Sequence, residues 1–425
     1  MRKLTIEITS RCNIKCRHCA STCENDTYET ISLNLLEKSI SAASKLRLPI
    51  VTATGGEPFL EREILLRFVR LCNGYGLGWE IETNGYWGCG NKSEEFIKEI
   101  SEFGHGVLSI SVDKFHQEHI PLETTKRSAK LASKYGLDVR INVCMMRDKE
   151  SWNIIREIAH WKYPLDVSSV VTLGRAKTLE NEAFFEQRPN YGCDSVGSPY
   201  VMLDGTVILC CGAPLRSVLS SGSALVIGRT SDDIEVELNK HERPYVQALH
   251  EFGPIQTARW MWMNDLFPEF PRLLNLGLNY CEVCAYISRL PLLISIIESK
   301  SLDQFKSETD INENFSMYFP DQPITLKEGC EYITFKDIPN DKTPNRETFQ
   351  TCGILALPSN ELYELVLLDN LALKVVESIA DPKGALDFFL KLTKQDKSDL
   401  EFVRSAHIIS RLRNIGAIVP IVKGE

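Results

Sequence analysis

The sequence predicts an α/β chain: a partial (β/α)6 barrel, then a cysteine-bearing β-hairpin/helical domain, then a small C-terminal α+β winged-helix-like module. Three observations carry this. Strand-like and helix-like apolar periodicities alternate six times within the first ~175 residues, which demands a parallel sheet with helical crossovers. An Asp204-Gly205 pair between the apolar runs YVML and TVILCC marks a tight hairpin. After residue 325, short strand-like runs give way to helical ones. The implied domains are 1–185, 186–300 and 325–425, and 425 residues suffice for several cores.

In chain order, the barrel strands are LTIEIT, PIVTATGG, GWEIETNG, HGVLSISVD, DVRINVCM and DVSSVVTLG, apolar runs bounded by turn residues. Between them lie amphipathic runs such as LNLLEKSISAASKL and REILLRFVRLC. The second domain adds helical DIEVELNKHERPYVQALHEF and PIQTARWMWMNDLFPEFPRLLNLGL, whose Trp260, Met261, Trp262 and Met263 are expected in a core, although an aromatic wall can also receive a peptide. Polar, aperiodic ESKSLDQFKSETDINEN marks the next boundary. Strand-like YITFKDI and GILALP follow, then helical LYELVLLDNLALKVVESIA, GALDFFLKL and LEFVRSAHIISRLRNIGAI.

In a barrel of this kind ligands collect at the C-terminal ends of the strands. The first strand ends in CNIKCRHC, with Cys12, Cys16 and Cys19 spaced C-x3-C-x2-C. Three thiolates on one short loop can hold three irons of a [4Fe–4S] cube and leave the fourth open to a small chelating molecule. A zinc site, with His18 or Cys23 as fourth ligand, or a disulfide framework are the competing readings. The second strand ends in Gly55, Gly56, Glu57 and Pro58, the third in Asn84. Ser109, Ser111 and Asp113 end the fourth, Asn142 the fifth, and Gly174 with Arg175 follow the sixth. Glycines at a strand end leave backbone polar groups bare. His116 and His119 suit a substrate-pocket or capping role with Asp113 as N-cap, rather than metal binding.

A net charge of −9 gives no general reason to expect nucleic acid. The longest apolar run, LPLLISII, is too short to span a bilayer, and an N-terminus entering a strand has no signal-peptide pattern. The expectation is a cytoplasmic protein without membrane contact, where reducing conditions keep its 14 cysteines available for metal.

The triplet and the GGEP segment together resemble the radical SAM enzymes, in which S-adenosylmethionine chelates the open iron. The resemblance implies that Gly55, Gly56, Glu57, Pro58 and Asn84 line the cofactor, that Ser109, Ser111 and Asn142 contact its ribose and carboxylate, and that the Gly174 segment lies along the adenine. It also implies an external electron donor.

A second set of cysteines follows the barrel: Cys193, Cys210 and Cys211 on the hairpin, then Cys281 and Cys284 in CEVC. Four thiolates can close a second, fully ligated [4Fe–4S] cube, with zinc as the alternative. The pattern is similar to the one-cluster auxiliary domain of radical SAM enzymes, and Cys330 and Cys352 are too few for a further cluster. Adjacent strand residues point to opposite faces, so if Cys210 is a ligand its neighbour Cys211 is a thiol outside the cube, able to surrender hydrogen to a carbon radical. A small buried hydrophobe is the other reading of Cys211.

Residues 1 to 290, through TGGEPFL, TNGYWG, SISVDKFH, TLGRAKT, CCGAP and C-x2-C, look most like the radical SAM peptide epimerases of ribosomally made precursor peptides. The resemblance implies Cα hydrogen abstraction by a 5′-deoxyadenosyl radical and hydrogen return from Cys211, turning L- into D-residues. Oxidative thioether or carbon–carbon crosslinking, dehydrogenation of a small alcohol, and a non-enzymatic iron–sulfur or zinc scaffold remain alternatives. The C-terminal module loosely resembles a precursor-peptide recognition domain that captures a leader as an added strand. Winged helices also bind DNA, but residues 361–425 hold nine Lys plus Arg against ten Asp plus Glu, so the basic footprint is absent.

Overall fold

The structure is a computed structural model that describes residues 3–21, 28–179, 193, 195–210, 223–229, 243–271, 280–299, 324–326, 330–334, 353–359, 362–368, 370–380, 385, 388, 408–409, 412 and 417–420. The chain groups into two compact units, residues 1–144 with 168–311, and residues 145–167 with 312–425.

Six strands alternate with helices: β1 (Leu4–Thr9), β2 (Ile50–Gly55), β3 (Gly78–Thr83), β4 (Gly106–Ser111), β5 (Asp138–Met145) and β6 (Leu165–Ser169). The intervening helices are α1 (Leu33–Lys45), α2 (Arg62–Gly74), α3 (Asn91–Ser101), α4 (Lys114–Gln117), α5 (Leu122–Lys134) and α6 (Lys149–Ala159). Hairpin strands β7 (Val196–Val201) and β8 (Thr206–Cys210) follow, then β9 (Val226–Arg229). All nine form one sheet in the order β6-β5-β4-β3-β2-β1-β7-β8-β9. From β1 to β5, sequence neighbours pair in parallel. The expected α/β fold with its large parallel-rich sheet is present.

β1 shows why these runs are strands. Leu4, Ile6 and Ile8 are fully buried on one face, and Thr5, Glu7 and Thr9 are buried on the other. The buried polar side is organised around one carboxylate. Glu80 on β3 accepts from Lys3 Nζ at 2.9 Å, Thr52 Oγ1 of β2 at 2.9 Å, Ser109 Oγ of β4 at 2.8 Å and Arg140 Nη1 of β5 at 2.7 Å. Burial would raise the proton affinity of Glu80, but Lys3 and Arg140 override it and hold the carboxyl well below its usual range.

The Asp204-Gly205 turn forms as expected: Gly205 has φ 83°, and the Met202 amide donates to the Thr206 carbonyl at 2.9 Å. What the sequence did not convey is that β7 pairs in parallel with β1, Thr5 opposite Tyr200, so the hairpin continues the barrel sheet.

α7 (Pro244–Met263) breaks at Gly253, φ 76°, before Pro254, and is followed by α8 (Tyr280–Ile287) and α9 (Pro291–Glu298). Trp260 and Met261 lie in the core as expected, whereas Trp262 and Met263 are 42% and 49% exposed. Among the described residues, no helix is long and apolar enough to cross a membrane.

In the second unit β10 (Ile324–Leu326) pairs with β14 (Ile418–Pro420), and β11 (Glu331–Thr334), β12 (Gly353–Ser359) and β13 (Leu362–Leu368) form an antiparallel sheet followed by α10 (Asn370–Ile379). Leu355, Leu373, Val376, Ile379, Ile409 and Leu412 share its core. LYELVLL, expected to begin a helix, is the strand β13. Its ladder with β12, from Ser359 opposite Leu362 to Gly353 opposite Leu368, satisfies backbone groups in a way that local apolar spacing cannot reveal.

Candidate functional site

The β1 end and the loop carrying Cys12, Cys16 and Cys19 are held from two sides. On one side the GGEP turn lies against it: the Gly56 amide donates to the Thr9 carbonyl and the Glu57 amide to the Arg11 carbonyl, both at 2.7 Å. A Cβ on Gly55 would sit 2.1 Å from the Thr9 carbonyl oxygen, and one on Gly56 1.9 Å from that of Arg11. Only bare backbone fits this approach. On the other side Arg175 donates from Nε to the Cys16 carbonyl at 2.9 Å and from its amide to the Cys19 carbonyl at 3.0 Å. Gly174, at φ 57°, packs where a Cβ would meet the Cys19 carbonyl at 2.5 Å.

The three thiols converge. Burial pushes the Cys12 thiol up to about 12, and nearby Glu57, Cys16 and Cys19 push in the same direction. Cys16 is buried, and the Cys19 amide donates to the Cys16 carbonyl at 3.2 Å. No disulfide joins any of the described cysteines.

Glu57 is fully buried and heavily bonded. Its carboxylate accepts from the Phe59 amide at 3.0 Å, Thr83 Oγ1 at 2.8 Å and the Asn84 amide at 2.7 Å. Burial nevertheless raises it to about 7. Pro58 opens the short turn that follows, and Asn84 Nδ2 donates to Asn13 Oδ1 at 2.9 Å, linking the β3 end to the cysteine loop. Ser111 and Asn142 face each other across the β4–β5 ladder. Ser109 is buried a layer lower, committed to Glu80.

Behind the loop, Asp113 caps α4 as expected: its Oδ1 accepts from the Phe115 and His116 amides at 3.0 and 3.1 Å. Its Oδ2 partners His116 Nδ1 at 2.9 Å and lies 3.6 Å from His18 Nε2. The ligand atoms of His18, Asp113 and His116 all lie within 4.8 Å of one another. Burial lowers His18 to about 4, its ring stacked on Phe115 at 4.5 Å. Burial would also lower His116, but the Asp113 carboxylate outweighs it and holds the imidazole well above its usual range. Cys16 is near enough to push the imidazole in the same direction. Cys16 and His116 stand 100 residues apart in the chain, and the β1 and β4 ends bring them near each other.

The second cysteine set is partly assembled. Cys193 donates its amide to the Leu249 carbonyl at 3.0 Å, and the β7–β8 register puts Cys210 opposite Val196, three residues beyond Cys193. Cys281 and Cys284 lie one turn apart on α8. Burial pushes the Cys284 thiol up to about 12, and Cys193 is near enough to add to this. Cys284 also lies 4.0 Å from Ser288 Oγ. Cys211, Cys23 and Cys352 lie outside the described residues.

Residues 6–161 match the family model of the Radical SAM superfamily, so this part of the chain is a radical SAM domain. Proteins of this superfamily use a [4Fe–4S] cluster together with S-adenosylmethionine. The chain is 24% identical over 182 residues to the "Putative peptide biosynthesis protein YydG" of Bacillus subtilis, covering 42% of this chain and 57% of that protein. It is 25% identical over 193 residues to a "Probable GTP 3',8-cyclase" of Pyrococcus abyssi, covering 43% and 60%. The match thus spans less than two thirds of these curated relatives. Among solved structures, "Native anSMEcpe with bound AdoMet" aligns with 71% of this chain and 100% of its own at 15% identity and TM-score 0.46. "Crystal structure of Streptococcus suis SuiB bound to precursor peptide SuiA" aligns with 59% and 64% at 14% identity and TM-score 0.43.

The residues present fit such a group. Three thiols on one loop offer ligands for three irons and leave a fourth iron open, and the glycine turn beside them is too tightly set for any side chain.

Proposed function

We propose that the chain is a radical SAM peptide-modifying enzyme that converts L- to D-residues in a ribosomally made precursor peptide. Cys12, Cys16 and Cys19 would hold the cluster, with Gly55, Gly56, Glu57, Pro58, Asn84, Ser111, Asn142 and Gly174 around the cofactor, and Ser109 as a support beneath them. When bound, cluster and S-adenosylmethionine supply a 5′-deoxyadenosyl radical able to take a Cα hydrogen. The protein's own tasks are to hold the peptide with one Cα presented to that radical, to exclude water, and to return a hydrogen atom to the opposite face from the Cys211 thiol.

The observation that carries this reading is the hairpin. It is sewn onto β1, the strand that leads into the first cysteine loop, and its arm β8 ends on Cys210, with Cys211 next in the chain. Cys193, Cys210, Cys281 and Cys284 would hold the auxiliary cluster, which is supported by the Cys193–Cys284 proximity. The similarity to a peptide biosynthesis protein supports a peptide substrate. The C-terminal module, 325–425, would capture the leader, and an external donor would supply electrons.

The test is anaerobic incubation of the reconstituted protein with a short peptide encoded beside it, followed by hydrolysis and chiral analysis. D-residues together with 5′-deoxyadenosine support the proposal. A loss of about two mass units without D-residues replaces it with oxidative crosslinking or dehydrogenation, and absence of 5′-deoxyadenosine leaves a non-enzymatic scaffold.

A further inference from the structure

Three donors of the kind that bind metal ions, far apart in the chain, meet beside the cysteine loop. His18 belongs to that loop, Asp113 and His116 follow β4, and one ligand atom from each lies within 4.8 Å of the other two. The carboxylate is the hub: Asp113 Oδ2 lies 2.9 Å from His116 Nδ1 and 3.6 Å from His18 Nε2. Around a tetrahedral ion with bonds of about 2.0–2.2 Å, neighbouring ligand atoms stand about 3.3–3.6 Å apart. The observed spacings straddle that range, so small side-chain shifts suffice to seat an ion. From the sequence alone His116 suits capping or a pocket, and only the fold sets the His18 ring beside it, centroids 5.2 Å apart.

The trio is also placed as ligands are. The side chains of His18, Asp113 and His116 are only 10%, 3% and 14% exposed. A histidine buried for structure alone satisfies its ring nitrogens within the protein. His18 does not: its Nδ1 is buried without a hydrogen-bond partner, and the 3.6 Å from Nε2 to the carboxylate is longer than a hydrogen bond. Stacking on Phe115 at 4.5 Å nevertheless fixes the ring. Asp113 divides its two oxygens, Oδ1 accepting the Phe115 and His116 amides and Oδ2 facing the two histidines.

We propose that His18, Asp113 and His116 bind one divalent cation of the zinc class, which ties the cysteine loop to the start of α4. Two imidazole nitrogens and a carboxylate oxygen suit zinc, and three protein ligands leave a fourth position to water. Binding releases the hydrogen that Asp113 Oδ2 and His116 Nδ1 share, so the ligands are a carboxylate and neutral imidazoles. The site does not depend on the peptide chemistry proposed above.

The experiment uses the full chain, its clusters reconstituted anaerobically, loaded with zinc sulfate and desalted before zinc and iron are counted by elemental analysis. Wild type is compared with His18→Phe, His116→Phe and Asp113→Asn, the last keeping an acceptor for the α4 amides. His119→Phe is the control, because His119 lies outside the trio. The expected result is one zinc per chain fewer in each of the three variants at unchanged iron, with His119→Phe equal to wild type. Equal zinc in wild type and the three variants overturns the proposal, and so does an equal loss from His119→Phe. X-ray absorption at the zinc edge of the wild type gives a readout that needs no variant. Nitrogen and oxygen neighbours at about 2.0–2.2 Å are expected, and a shell of sulfur alone at about 2.3 Å places the zinc on cysteines and overturns the site.

Discussion

Arg175 Nε lies 2.9 Å from the carbonyl oxygen of Cys16, and the same residue's amide lies 3.0 Å from that of Cys19. A residue after the sixth strand therefore braces the loop that leaves the first. A hydrogen bond from a charged donor contributes about 1.5–3 kcal/mol. Arg175→Ala is expected to shorten the lifetime of the bound cluster against a chelator by roughly tenfold or more. Iron release followed over time checks this, and an unchanged rate would show that the loop holds its shape unaided.

Glu80 ties Lys3 and three neighbouring strands together. Removing it takes from Arg140, which is 5% exposed, the buried carboxylate that it meets at 2.7 Å. Glu80→Leu is expected to cost about 3–5 kcal/mol, and the double variant Glu80→Leu with Arg140→Leu to recover most of it. Urea denaturation of the cluster-free protein measures both. Equal losses in the single and double variants would contradict a stabilising ion pair.

Glu57 gives a pH signature. Its folded value, raised by burial to about 7, lies above the ordinary 4.5, so the folded state binds the proton more tightly than the unfolded state. The resulting stability is fully present below pH 4.5 and is lost as pH rises through about 7, on the order of 3 kcal/mol in all. Glu57→Gln should remove that decline while keeping an acceptor for the Asn84 amide. Denaturation of both proteins at intervals across this window gives the comparison, and parallel profiles would contradict the raised value.

Gly106 faces the indole of Trp79, and a Cβ there would lie 2.1 Å from the ring. Trp79 is fully buried and donates its Nε1 hydrogen to the Phe103 carbonyl, so it cannot swing aside without stranding that donor. Gly106→Ala should cost about 1–3 kcal/mol of stability. Thermal unfolding reads the effect, and an unchanged midpoint would mean that β3 and β4 adjust freely.

Much of the barrel and its first cysteine site was legible because short-range pattern decides both. Apolar runs bounded by turn residues made β1 to β5 legible, and Cys12, Cys16 and Cys19 are neighbours in the chain. What stayed hidden is what the sheet brings together over distance. His116 against Cys16, Arg175 against the cysteine loop and Arg140 against Glu80 each pair residues from different strand ends or faces, and no local spacing encodes them. Ser109 resembled a mouth residue at its strand end, but the period of two turns it down onto Glu80. β13 was misread for the same reason: LYELVLL carries leucines at helical spacing, and only its partner β12 makes it a strand.

The most direct measurement is the reaction in heavy water, with wild type and Cys211→Ala side by side and the peptide product read by mass spectrometry. A gain of about one mass unit at single residues in the wild type, and no D-residue from Cys211→Ala, is the expected result, because an exchangeable thiol returns the hydrogen. Inverted residues formed equally by Cys211→Ala would contradict it.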